Sequence, residues 1–244
     1  MTHAQPGAGL PESAQPEPML GPRLPAWPLM LVTDRTLARD TRDLLRQVAA
    51  AIEGGVNAVQ VREKDLPEAE LLALTRRIVA IAAGRAFVTV NGRPRVALAA
   101  RAEGVHAGED LPITRELKRR LRDRLLIGRS VHDLAGATAA AHDGAGYLVL
   151  GTIFPSRSHP GGETGGLARV REVAAAVALP VIAIGGITAT TAGEVMRAGA
   201  AGVAVISAIL GQPDPRAAAA TLRRAMDGGI LQAHGGWAAT RTGR

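Results

Sequence analysis

The 244 residues are 47% hydrophobic but only 2% aromatic, and they carry a formal charge of +7 without a single cysteine. That length suits one large domain with a core of Ala, Val, Leu and Ile, and the missing cysteines exclude a disulfide scaffold, an all-thiolate metal centre and a thiol nucleophile. No run approaches the ~18 apolar residues of a membrane span, and no basic segment followed by an apolar core opens the chain, so the expected location is cytoplasmic.

In chain order, residues 1–27 form a separate zone. Pro6, Pro11, Pro16, Pro18, Pro22 and Pro25 recur among Gly, Ala, Gln and Glu with little to bury, which predicts a disordered extension. Short apolar runs then fall near 29–33, 57–61, 87–90, 103–106, 125–128, 147–150, 181–184 and 203–206. Runs of that length between Gly and Pro read as strands buried on both faces, the signature of a parallel sheet. Helical spacing fills the gaps, as in Leu44, Leu45, Val48 and Ile52, or Leu71, Leu74, Ile78 and Val79. Strands and helices alternating eight times predict an α/β fold, a single (β/α)₈ TIM barrel over residues 28–226. No Gly-x-Gly-x-x-Gly opens the first helix, which argues against an open dinucleotide-binding sheet. From Asp227, with Gly228, Gly229, Gly235 and Gly236, residues 227–244 read as a loose tail.

Residues at the C-terminal ends of barrel strands face the active site. The second strand ends in Gln60, Arg62 and Lys64, two apart and so predicted to project to one side. The third ends in Asn91-Gly92, the fourth in His106 with Glu109 and Asp110 beyond, the fifth in Ser130 and His132, the sixth in Gly151-Thr152. A loop with Ser156, Ser158 and His159 follows. The seventh strand ends in Gly185-Gly186, which allow close backbone approach to a ligand, and Thr188 then opens a helix whose N–H groups favour an anion. The eighth ends in Ile206-Ser207. Glycine turns on the last two strands make the usual phosphate pocket of such barrels. With two cations on the second strand, the chain is expected to bind two phosphorylated groups. Of its 29 cations all but Lys64 and Lys118 are Arg, scattered and without interleaved aromatics, so nucleic acid is not the expected partner. No Cys/His constellation suggests zinc. His106 on an apolar strand reads as a packed barrel histidine, and His3, His142 and His234 receive no role.

Gln60-Val61-Arg62-Glu63-Lys64, Val90-Asn91, Gly104-Val105-His106-x-Gly108, Gly128-x-Ser130-x-His132, Ser156-x-Ser158, Ile184-Gly185-Gly186-Ile187 and Val205-Ile206-Ser207-Ala208-Ile209 occur in this order. Over about residues 29 to 226 the chain resembles the thiamin phosphate synthase and thiazole tautomerase superfamily. The resemblance implies a transferase of thiamin biosynthesis that joins hydroxymethylpyrimidine pyrophosphate to thiazole phosphate and releases pyrophosphate. It implies that Arg62, Lys64 and His159 meet the pyrophosphate, and Gln60, Asn91 and Ser130 the pyrimidine. Ser156, Ser158, Gly186, Ile206 and Ser207 would meet the thiazole phosphate. It also implies Mg²⁺ held by Asp110, with Glu109 as a possible stand-in. Four positions depart from the family pattern: Gly92 replaces a metal-binding Asp, Ser156 and Ser158 replace two threonines, and His159 replaces a lysine. Two other readings stand beside this one. A thiazole tautomerase would need no metal; Thr152 stands where its basic histidine is expected, so His132 or His159 would have to serve. A non-catalytic phosphate-binding barrel is the other. A homo-oligomer remains open.

Overall fold

Each apolar run forms a strand, and each is joined to the next by a crossover long enough to keep the strands parallel. The computed structural model describes residues 21–239, apart from 109–110, 114, 122–123, 157–160 and 162. The strands are β1 (Leu29–Val32), β2 (Ala58–Val61), β3 (Phe87–Asn91), β4 (Gly104–Ala107), β5 (Leu126–Val131), β6 (Tyr147–Leu150), β7 (Val181–Ile184) and β8 (Gly202–Val205). Between and after them run α1 (Thr41–Glu53), α2 (Glu68–Ala82), α3 (Pro94–Ala100), α4 (Arg115–Leu121), α5 (Leu134–Asp143), α6 (Gly166–Ala176), α7 (Ala189–Arg197) and α8 (Pro215–Ala239). The strands pair in sequence order, and β1 pairs with β8 to close the barrel. The predicted architecture is the observed one.

The core lies in two layers. Alternate strand residues such as Leu31, Val59, Val90 and Val203 point outward and pack on helix residues such as Leu44, Val48 and Ile78. Each such side chain contributes about 1.5–3 kcal/mol on burial. Inside, Met30, Val32, Ala58, Phe87, Tyr147, Val149, Ile182 and Ala204 fill the barrel. The chain's one tyrosine and one of its two phenylalanines meet there edge to face, ring centroids 6.4 Å apart. A Cβ on Gly128 would lie 2.1 Å from the Tyr147 ring, and one on Gly104 2.7 Å from Phe87. Both glycines therefore make room for rings.

Two boundaries differ from the sequence reading. Residues 1–20 of the expected extension lie outside the described residues, but 21–27 close the bottom of the barrel. Leu24 packs on the interior cluster, and the Ala26 and Trp27 carbonyls accept hydrogen bonds from Asn57 and Arg223. The tail expected from 227 is instead the continuation of α8 to Ala239. Gly228 and Gly229 read as part of a loose tail, but a Cβ on Gly229 would lie 2.4 Å from the Gly193 carbonyl oxygen. Glycine at 193 and 229 lets α7 and α8 touch backbone to backbone. Residues 240–244 lie outside the described residues.

Candidate active site

β2 delivers its residues to the mouth unequally. Gln60 is 3% exposed inside the barrel; its Nε2 donates weakly to Met30 Sδ (3.9 Å) and its Oε1 accepts from Asn91 Nδ2 (3.4 Å). Arg62 follows the strand with a half-buried side chain, and its backbone N–H donates to Thr33 Oγ1 at 2.9 Å. Lys64 is exposed in a turn closed by the Leu66 N–H on the Glu63 carbonyl. The turn, and not strand alternation, places this second cation.

Glu63 between them was not singled out for a role in the sequence. It is 6% exposed and accepts from the Arg35 N–H through Oε2 (3.2 Å), while its Oε1 is buried with no hydrogen-bond partner among the described residues. Burial pushes its carboxyl above the usual range, and the Arg35 bond opposes that shift. Arg35 also pairs with Asp65. Thr33, Arg35 and Glu63 thus stitch the turn after β1 to the segment carrying Arg62 and Lys64. Glu63→Ala would strand the Arg35 N–H donor, and is expected to cost about 1–3 kcal/mol in a urea titration. Turnover should fall with it as the two cations lose their frame. An unchanged unfolding midpoint would contradict this account.

The β3–β4–β5 register sets Asn91 beside His106, and His106 beside Gly128. His106 Nε2 lies 2.8 Å from Ser130 Oγ, and the His106 ring leans on Tyr147 at 5.9 Å. Burial, then the charges of Arg129 and Arg62, push His106 down to about 3, so the ring is neutral at physiological pH. His132 is exposed beyond β5, and its Nδ1 donates to the Gly151 carbonyl at 2.6 Å. That bond fixes the proton on Nδ1. Arg129 donates to the Gly108 and Leu111 carbonyls (2.8 and 2.7 Å), fastening the loop that carries Glu109 and Asp110. Those two acids lie outside the described residues, as do Ser158 and His159.

On the far side, Gly185 and Gly186 have φ of 103° and 62°. A Cβ on Gly186 would lie 2.4 Å from the Pro155 carbonyl oxygen and 2.7 Å from that of Phe154. The chain itself approaches this turn closely: the loop after β6 lies on the end of β7, with Ile153 and Phe154 N–H donating to Ile184 and Gly185 carbonyls at 3.0 Å. That contact sets Ser156, half-buried, beside the glycine turn. Thr188 caps α7, its N–H donating to Thr191 Oγ1 at 3.0 Å. Ile206 and Ser207 follow β8 directly, and the Ser207 carbonyl accepts from Gln212 at 2.8 Å. Because β2 and β6 stand four strands apart in a ring of eight, the cations after β2 lie across the mouth from the loop after β6, while β8 is separated from β2 only by β1.

Comparison with known proteins is consistent with this arrangement. The thiamine monophosphate synthase family profile matches residues 29–209. A thiamine-phosphate synthase of Anaeromyxobacter dehalogenans is 49% identical over 189 residues, covering 77% of this chain and 85% of the relative. One from Methanoculleus marisnigri is 46% identical over 200 residues, covering 80% and 93%. The solved structure of thiamine phosphate pyrophosphorylase from Pyrococcus furiosus superposes with a TM-score of 0.75 at 36% identity, covering 83% of this chain and 96% of that one.

Proposed function

The chain belongs to the thiamine monophosphate synthase family, and from that premise we propose that it joins hydroxymethylpyrimidine pyrophosphate to thiazole phosphate. The observation that carries the reading is the division of the mouth, with the cations after β2 opposite the serine loop that follows β6, a loop packed on the glycine turn of β7. The methylene C–O bond breaks and its electron pair leaves with pyrophosphate. The thiazole nitrogen lone pair then forms the C–N bond and becomes the thiazolium. Arg62, Lys64 and His159 receive the charge that grows on the leaving group, where a placed cation is worth most. Gln60, Asn91 and Ser130 orient the pyrimidine. Ser156, Ser158, Gly186, Ile206 and Ser207 hold the thiazole phosphate. The synthase names of the relatives at 49% and 46% identity support this reading over the tautomerase one. Incubation with both precursors should yield thiamine phosphate and equimolar pyrophosphate. Aromatisation of a thiazole carboxylate phosphate in the parallel assay, with no pyrophosphate released, would overturn it.

Magnesium belongs to the proposal with Asp110 as ligand, but the described residues do not complete its shell. The ion takes oxygen ligands in octahedral geometry. Gly92 offers no side-chain oxygen, and no group of three acidic, His or Cys residues gathers among the described residues. Gly92→Asp would restore an oxygen. Its Cβ meets nothing within 4 Å, although φ is +68° and the strain costs about 1 kcal/mol. The variant is expected to need less Mg²⁺ for half-maximal rate, with a slightly lower Tm; an unchanged magnesium titration would count against Asp110 as a ligand. No described helix is long and apolar enough to cross a membrane. Substrates with several phosphate charges do not cross bilayers unaided, which supports a cytoplasmic site of action.

A further inference from the structure

His106 is buried, neutral and bonded to a residue of the site, and the reaction as written gives it nothing to do. We propose that His106 is a positioning residue which donates from Nε2 to Ser130 Oγ, and so leaves the Ser130 hydroxyl proton free to point at an acceptor atom of the substrate. This rests on the reading above in one respect, that Ser130 faces the pyrimidine.

Three protonation states of the ring are open in principle, and the surroundings select one. His106 is 1% exposed. One face leans on Tyr147, whose hydroxyl donates to Thr89 Oγ1 (3.4 Å) and is not directed at the imidazole. Nε2 has Ser130 Oγ at 2.8 Å, while Nδ1 is buried with no partner among the described residues. With the proton on Nδ1, an N–H donor would be orphaned in the barrel interior, the rarest kind of unsatisfied polar group. Ser130 would then spend its own proton on Nε2 and face the substrate only with lone pairs. With the proton on Nε2, Nδ1 keeps a bare lone pair, which is tolerated more often. His106 then donates to Ser130, and the serine O–H turns outward. The imidazolium would place a third buried charge near Arg62 and Arg129, both of which oppose it. The neutral Nε2–H form remains. Its consequence is chemical: the Ser130 proton is available to a lone pair, as on a pyrimidine ring nitrogen, which the other tautomer would not allow.

The ¹⁵N spectrum of histidine-labelled full-length protein tests this without any substitution. The His106 resonances, identified by their loss in His106→Gln, should show a protonated Nε2 and a bare Nδ1, unchanged from about pH 5 to 8. A proton on Nδ1, or an imidazolium in that range, overturns the proposal. In kinetics, His106→Gln keeps an N–H donor at reach and should stay near wild type, whereas His106→Leu should lose about tenfold in kcat/KM, the worth of one neutral hydrogen bond. Combined with Ser130→Ala, His106→Leu should add no further loss, since both act through one hydroxyl. Additive losses overturn the proposal. Wild-type rates in Ser130→Ala alone overturn instead the placing of Ser130 at the pyrimidine, while the spectrum still reports the tautomer.

Discussion

Arg62→Ala and Lys64→Ala are each expected to lower kcat/KM for the pyrimidine pyrophosphate by about 10²–10³-fold, with Tm almost unmoved. The two effects separate because of how each residue is held. The bond that anchors Arg62 runs from its backbone N–H to Thr33 Oγ1, and survives loss of the guanidinium. Lys64 is exposed in its turn and supports no core contact. Neither side chain contributes to folding beyond the few tenths of a kcal/mol usual for solvated surface positions. In the reaction both meet a leaving group whose charge increases as the C–O bond opens. A donor placed in advance at such a position lowers the barrier without reorganising in the step, and each tenfold lost corresponds to about 1.4 kcal/mol of transition-state stabilisation. Steady-state kinetics paired with thermal unfolding measures both quantities on the same preparation. Wild-type kcat/KM in either variant would remove that cation from the mechanism.

The barrel was readable in the chain because parallel strands buried on both faces leave uninterrupted apolar runs, and all but the fifth, which runs three residues further, fell within one residue of their predicted ends. The site was readable in part. Gln60, Asn91, His106 and Ser130 sit at strand ends, where period-two alternation sends them inward. Thr33, Arg35 and Glu63 were not readable as a unit, because their contact depends on the β1–β2 register that sets Val32 against Gln60. Arg129 looked like one more scattered cation; only the fold brings it under the carbonyls of the loop after β4. Glycine carried the least information. Gly229 falls in a stretch that reads as a loose tail, yet it admits the Gly193 carbonyl, and the missing Cβ of Gly186, which reads as a ligand contact, also makes room for the Pro155 and Phe154 carbonyls. A sequence shows that a Cβ is missing without showing what occupies the space.

Gly186→Ala is therefore expected to damage folding and turnover together, in contrast to the two cations. The residue has φ of +62°, where an alanine costs about 1–2 kcal/mol. Its Cβ would also meet the Pro155 and Phe154 carbonyl oxygens at 2.4 and 2.7 Å. Those are backbone atoms of the loop that carries Ser156, so no rotamer change relieves the overlap and the loop itself must lift. Overpacking of this kind costs about 1–3 kcal/mol more. A displacement near 1 Å of groups holding a reacting partner costs about 10²-fold in rate, and the loss should fall on the thiazole phosphate rather than on the pyrimidine pyrophosphate. Gly92→Ala is the control. Its φ of +68° is nearly the same, but nothing lies within 4 Å of the added carbon. It should show the backbone strain alone, a fall in stability of about 1–2 kcal/mol, with the KM for thiazole phosphate unchanged. Equal effects of the two substitutions in urea unfolding and in KM would mean that the contact between the β6 loop and the end of β7 does not hold the phosphate site in place.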